Sequence, residues 1–243
     1  MQQKTKPLKS LSIFFPFYND AGTVEQAISG AFSIGSQLTN RLEVIALYGG
    51  KSVDDTFAQI LKMQRKYRSL KIIDRTSNQE GYAVIKYGLV QSTSDWVFYT
   101  DGDLQYNLVD LIRLVKKQLD TNADVINGFK INRGDKALRS TLGELYKKLT
   151  KIVFKIPISD PTCDFRLIKS SFLKQCPLFS SNASICVELI KELQLAGAKF
   201  TEIPVRHRKR KYGKSNYKPF SLLIERFFGD LLLWIRLRRR YNK

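Results

Sequence analysis

The chain has 243 residues, 43% hydrophobic and 12% aromatic, enough for one large buried core and too apolar for a disordered or low-complexity chain. Its 41 Lys and Arg against 22 Asp and Glu leave a formal charge of +19, so the first expectation is an anionic partner: nucleic acid, anionic lipid or a phosphorylated substrate. Cys163, Cys176 and Cys186 show no CxxC spacing, which excludes a disulfide framework and a zinc ribbon.

Taken in chain order, short apolar runs alternate with helical patterns. Strands are expected at 11–17, 42–47, 71–74 and 96–100, with helices at 22–34, 53–67 and 82–90 between them. A helix at 108–119, a strand at 124–129, a long helix at 136–154, a short strand at 165–168, a helix at 184–196 and a strand at 199–205 follow. Gly197 is placed to stop its helix in a left-handed cap. Strands this continuous and apolar are buried on both faces, which predicts an α/β fold with a mostly parallel sheet built from βαβ units and helices on both faces. In such sheets ligands sit beyond the carboxyl ends of the strands.

The stretch 219–237 is helical in pattern, but its polar positions, Ser221, Glu225, Arg226, Gly229 and Asp230, form only a narrow stripe, so most of its circumference needs cover. The expected organisation is a catalytic domain over 1–218 and an amphipathic basic helix over 219–243. From Val205 onward there are 13 Lys or Arg and two acids, so a net +11 of the +19 falls in the last 39 residues. An apolar helix followed by Arg236, Arg238, Arg239 and Arg240 suits the headgroup layer of an anionic membrane or a membrane-protein partner. The polar N-terminus does not read as a signal peptide. No run approaches the roughly 18 apolar residues of a membrane span.

The strongest chemical signal is at the end of the fourth strand, where Asp101 and Asp103 flank Gly102. Two carboxylates one residue apart can converge on a hard divalent cation, Mg²⁺ or Mn²⁺, with Gln105 as a third oxygen donor, leaving positions for water and substrate phosphates. Asp-x-Asp alone also fits an ordinary Asp-Gly turn.

Context favours the metal. The segments Leu11–Asp20 (LSIFFPFYND), Asn78–Gly88 (NQEGYAVIKYG), Tyr99–Tyr106 (YTDGDLQY), Ala123–Lys130 (ADVINGFK), Asp160–Leu167 (DPTCDFRL) and Glu202–Ser215 occur in that order. Together the chain resembles the family 2 glycosyltransferases of the GT-A fold, nearest to the dolichyl- or polyprenyl-phosphate mannosyl- and glucosyltransferases. The resemblance spans roughly residues 10–218.

The resemblance implies an inverting, metal-dependent transfer from a nucleotide-sugar donor of the GDP-mannose or UDP-glucose type to a polyprenyl phosphate. It implies that Asp101, Asp103 and Gln105 hold the metal, and that Pro16, Tyr18, Asp20, Gly81, Asp101 and Gly102 line the donor pocket. Lys130, Arg139, Arg166, Arg208, Lys214 and Ser215 would gather phosphates. Asp164 and Arg166 fall in a matching "DFR" frame, and Asp164 is the expected base if the acceptor is a hydroxyl instead. Where the family's second strand usually ends in "VDDGS", this chain has Tyr48-Gly49-Gly50; Tyr48 is expected to stack on a base, or the pocket to take another nucleotide. Transfer to a glycan hydroxyl and a non-catalytic nucleotide-sugar-binding relative are the alternatives. A nucleic-acid binder has no recognition motif here. The expected location is peripheral, on the cytoplasmic face of a membrane.

Overall fold

β1 (Leu11–Phe17) and β4 (Trp96–Thr100) run side by side and parallel through the middle of the molecule, almost every side chain buried. Their alternation divides the core in two. Ile13, Phe15, Phe17 and Phe98 face α1 (Val24–Leu38), α2 (Thr56–Lys66) and α4 (Asp110–Thr121), while Phe14, Val97 and Tyr99 face α3 (Ile85–Gln91) and α7 (Ile185–Leu195). A strand that feeds two cores has no polar face to show, which is why its sequence reads as a continuous apolar run.

The structure is a computed structural model that describes residues 6–50, 52–76, 84–131, 137–212 and 219–241. Among these, seven strands form one sheet in the order β3-β2-β1-β4-β6-β5-β7. The remaining strands are β2 (Leu42–Tyr48), β3 (Leu70–Asp74), β5 (Val125–Ile131), β6 (Phe165–Lys169) and β7 (Phe200–Arg206). All pairings are parallel except those of β6, which runs antiparallel to both β4 and β5. The α/β architecture and mostly parallel sheet are therefore as expected. α5 (Ala137–Phe154) and α8 (Pro219–Tyr241) complete the long helices, and a single turn, α6 (Ser170–Leu173), had no sequence signal. Gly197 has φ +83°, the left-handed stop anticipated for α7.

α8 runs four residues beyond its expected end and lies on α7. Leu233 and Leu237 pack with Phe154, Ile156, Ile158, Val187 and Ile190 in a third apolar cluster. Some of its polar side chains also turn inward. The Tyr146 hydroxyl donates to Asp230 at 2.8 Å, Arg236 pairs with the buried Glu188, and Arg240 lies 3.3 Å from Glu192. Phe227, Phe228, Leu231 and Leu232 are left facing outward, at 44–67% exposure.

The last glycine of the Asn78–Gly88 segment has a packing cause. A Cβ at Gly88 would fall inside contact distance of the Phe14 ring, itself fully buried in β1 and stacked on Tyr99 at 5.2 Å. Gly88→Ala is expected to destabilise the fold by about 1–3 kcal/mol through overpacking, read as a lowered urea midpoint with an unchanged slope.

Candidate active site

The antiparallel β6 assembles the site. Its register pairs Thr100 with Phe165, so the next residues outward, Asp101 after β4 and Asp164 before β6, face one another across the same edge. On the other side the Gly102 N–H donates to Pro16 O at 3.3 Å, drawing the Asp101–Asp103 turn over the end of β1, where Asp20 follows. A Cβ on Gly102 would collide with the Phe17 ring and come within 3.1 Å of Pro16 O, so only glycine allows this approach. Asn19 and Leu104 hold φ of 56° on either side. A branched residue such as Leu104 adopts that geometry only when its surroundings impose it.

Four carboxyl groups thus gather at one edge of the sheet. Asp101 is pushed well above the usual carboxylate range, by burial first and then by Asp164, Asp103 and Asp20, with Lys130 opposing. Among the described residues no hydrogen bond or ion pair reaches the Asp101 carboxylate. Asp20 is raised to about 6, mainly by burial; the Tyr18 N–H and Arg210 pull it down, while Asp103 and Asp54 push it up. Asp103 accepts the Gln105 N–H at 3.0 Å on one oxygen and Arg210 Nη2 at 2.7 Å on the other. Among the described residues Asp164 receives only the Tyr99 hydroxyl, at a long 3.4 Å, and the Cys186 thiol at 3.5 Å.

Among the described residues no group of three or more His, Cys, Asp or Glu is arranged to hold a metal by itself. The chemistry of the donor set nevertheless fits a hard divalent cation. An acid cluster with an unpartnered carboxylate is short of positive charge, and oxygen ligands from substrate and water normally complete such a shell. Gln105 is differently engaged: its Nε2 donates to Arg208 O at 2.8 Å.

Several expected residues sit elsewhere. Arg166 is fully buried, donating to Asn127 Oδ1 at 2.5 Å, Tyr99 Oη at 2.6 Å and the carbonyls of Pro161 and Cys163 at 3.3 and 3.2 Å. It stacks the sheet together beneath the acids and is not placed to touch a phosphate, which corrects the expectation drawn from the "DFR" frame. Lys130 is likewise turned inward, with Nζ 2.5 and 3.1 Å from Thr162 O and Oγ1 and 3.8 Å from Asp160. Burial alone would raise Asp160, but Lys130 and Lys147 hold it below the ordinary value.

Tyr48 also departs from expectation. Its ring lies 4.9 Å from Phe57 in the core, 5% exposed, and its hydroxyl accepts the Ser52 N–H at 2.9 Å. It has no free face for a base. Tyr18, at 40% exposure, stands over Gly50 instead. Arg208 is exposed on a strap after β7, beside a groove lined by Gln26, Leu104, Tyr106 and Val109. Gly81, Lys214 and Ser215 lie outside the described residues, as does the side chain of Arg139 on α5. The residue that sequence reasoning passed over is Arg210, the base of the strap that reaches the acids; nothing in a run of five basic residues and one histidine from Arg206 to Lys211 singles it out.

A mostly parallel α/β sheet with a cluster of acids at one edge is the class that this geometry defines. The chain belongs to glycosyl transferase family 2, whose model matches residues 12–176. Its structure is similar to glucosyl-3-phosphoglycerate synthase from Mycobacterium tuberculosis. The form of that enzyme with Mn²⁺, UDP and glucosyl-3-phosphoglycerate superposes with a TM-score of 0.68 at 15% identity, covering 92% of this chain and 79% of that one. The complex with Mn²⁺, UDP-glucose and phosphoglyceric acid gives 0.68 at 14% identity over 93% and 80%. Another structure of the same synthase gives 0.59 at 17% identity over 88% and 75%.

If Arg166 is a structural cation, Arg166→Leu should lower stability by about 3–5 kcal/mol, since it strands buried Tyr99, Asn127 and two carbonyls; a phosphate ligand would instead lose turnover with an unchanged unfolding midpoint. Asp20, with its folded pKa raised from 3.8 to about 6, costs the metal-free protein stability above pH 6, a cost removed as the pH falls toward 4. Thermal unfolding of metal-free protein should therefore show Asp20→Asn flattening the pH dependence between 4 and 6.

Proposed function

We propose that this family 2 member is an inverting, divalent-metal-dependent glycosyltransferase that moves a sugar from a nucleoside diphosphate donor to a polyprenyl phosphate. The observation that carries the reading is the Asp101 carboxylate, unpartnered among the described residues, within a four-acid edge. Asp101 and Asp103 would hold Mg²⁺ or Mn²⁺ against the donor diphosphate. Bound there, the metal neutralises charge that develops on the leaving group. Tyr18 and Pro16 would line the approach for the nucleotide, beside the Gly102 turn that carries the two acids. In support, the synthase structures hold Mn²⁺ with UDP or UDP-glucose, and an acceptor that bears a phosphate.

An acceptor phosphate is already anionic near neutral pH, so its oxygen attacks without a general base. The strap bases, Arg208 among them, supply its counter-charge. α8 supports a lipid acceptor and a peripheral place on the cytoplasmic face of a membrane. With Asp230 and Arg236 turned inward, it offers Phe227, Phe228, Leu231 and Leu232 outward, followed by exposed Arg238 and Arg239. Apolar side chains beside arginines match the boundary between acyl chains and anionic headgroups. Neighbouring α5 adds exposed Leu149 and Ile152.

A hydroxyl acceptor is the second reading, favoured by Asp164. Among the described residues no ion pair reaches this buried carboxyl opposite Asp101, and as a carboxylate it would take the hydroxyl proton.

The deciding experiment incubates the full chain with UDP- and GDP-sugars, Mn²⁺ and either short-chain polyprenyl phosphate or sugar and phosphoglycerate acceptors. Product on the polyprenyl phosphate, lost by at least a hundredfold in Asp103→Ala with the circular dichroism spectrum retained, is expected. Activity confined to hydroxyl acceptors would overturn the lipid-phosphate reading, and full activity in Asp103→Ala would overturn the metal assignment.

A further inference from the structure

The acid edge already contains one cation, and it belongs to the protein. The strap 207–212 leaves β7 and crosses the site. The His207 N–H donates to Ile131 O at 3.4 Å, and its ring meets the edge of Tyr106 at 5.1 Å. Arg208 and Gln105 then form a two-bond hook, Arg208 N–H to Gln105 O and Gln105 Nε2 to Arg208 O, each 2.8 Å. At the far end the Tyr212 ring lies over Gly22, at the start of α1, where a Cβ would stand 2.7 Å from Tyr212 Cγ. Between these anchors Arg210 turns inward, Nη2 at 2.7 Å from Asp103 Oδ2 and Nη1 at 3.5 Å from Asp20 Oδ1.

The seat is imperfect. Nη1 is buried yet completes no hydrogen bond among the described residues, and Asp101, the most charge-starved of the acids, receives none of the guanidinium. A buried donor without an acceptor lacks part of its compensation, so this arginine is held less firmly than its short bond to Asp103 suggests. A second cation cannot share Asp103 Oδ2 with a guanidinium at 2.7 Å without strong like-charge repulsion.

We propose that Arg210 is the resident counter-cation of the metal-free site, and that the strap 207–212 is a latch which a divalent ion opens by displacing Arg210 from Asp103 and Asp20. The idea rests on the metal reading above and adds to it a competition within the chain. Because the two cations exclude each other, metal binding and strap release are linked reciprocally: whatever weakens the Arg210 contact strengthens metal binding, and the metal in turn frees the strap.

Mn²⁺ alone, without donor, is the probe. Titration followed by the electron paramagnetic resonance of free Mn²⁺ should show Arg210→Ala binding about five- to tenfold tighter than the wild-type full chain, the effect of removing one partly buried competing ion pair. Tryptic cleavage of the wild type within 208–211 should rise several-fold on adding Mn²⁺. Equal Mn²⁺ affinity in the two proteins would overturn the latch and leave the metal site standing. Failure of both to bind Mn²⁺ would remove the metal reading and the latch together. Should Arg210→Ala not fold, the wild-type cleavage decides, and a rate indifferent to Mn²⁺ would overturn the proposal.

Discussion

Like charge confined at a protein edge is the constraint on which the rest of the structure depends. Asp20, Asp101, Asp103 and Asp164 come from three separate stretches of chain and meet where water is scarce, so burial and the neighbouring acids make Asp101 and Asp20 harder to ionise. Such an arrangement persists only if the scaffold beneath is stiff enough to hold the acids together and some cation relieves them. The protein meets both conditions with arginine, but with two arginines of opposite character. Arg166 is sealed below the acids in a full set of hydrogen bonds, whereas Arg210 comes from outside, on a strap, and is only partly satisfied.

The scaffold condition explains why so many of the bases near the site turn away from it. Arg166 bridges Asn127 of β5 to Tyr99 of β4 through β6, the one strand that runs against its neighbours. Lys130 and Lys147 close on Asp160, pinning α5 and the end of β5 to the loop that leads into Asp164. Buried ion pairs of this kind add little net stability over a well-packed apolar core, yet breaking one leaves a charge stranded. Their effect here is to fix position: the loop 160–164 cannot shift without disrupting them, and so Asp164 stays opposite Asp101.

α8 shows the same logic at the scale of an element. A helix that turns Asp230 and Arg236 toward the protein and four large apolar residues away from it is inside out by the standard of a surface helix. The inward polar groups are each paired with a residue of α5 or α7, so the orientation is specified rather than incidental. That leaves an apolar outer face of Phe227, Phe228, Leu231 and Leu232 exposed.

The periodicity of the apolar residues determined the strands, the helices and their alternation, because burial on both faces of a parallel sheet leaves a continuous signature in the chain. Asp101 and Asp103 were legible for a related reason: adjacent in sequence, they need only one turn to converge. Tyr48 was not, since the choice between a ring facing a ligand and a ring packed on Phe57 is made by a partner nine residues away on another element. Arg166 read as a site residue by its frame and proved to be core, because burial depends on what covers a position and not on its neighbours in sequence. Sequence counted the positive charge and placed more than half of it at the carboxyl end. Only the tertiary structure decided which base among the described residues reaches the acids, because that rests on the antiparallel register of β6 and on the path of a strap between Gln105 and Gly22, contacts that join residues 65 to 190 positions apart.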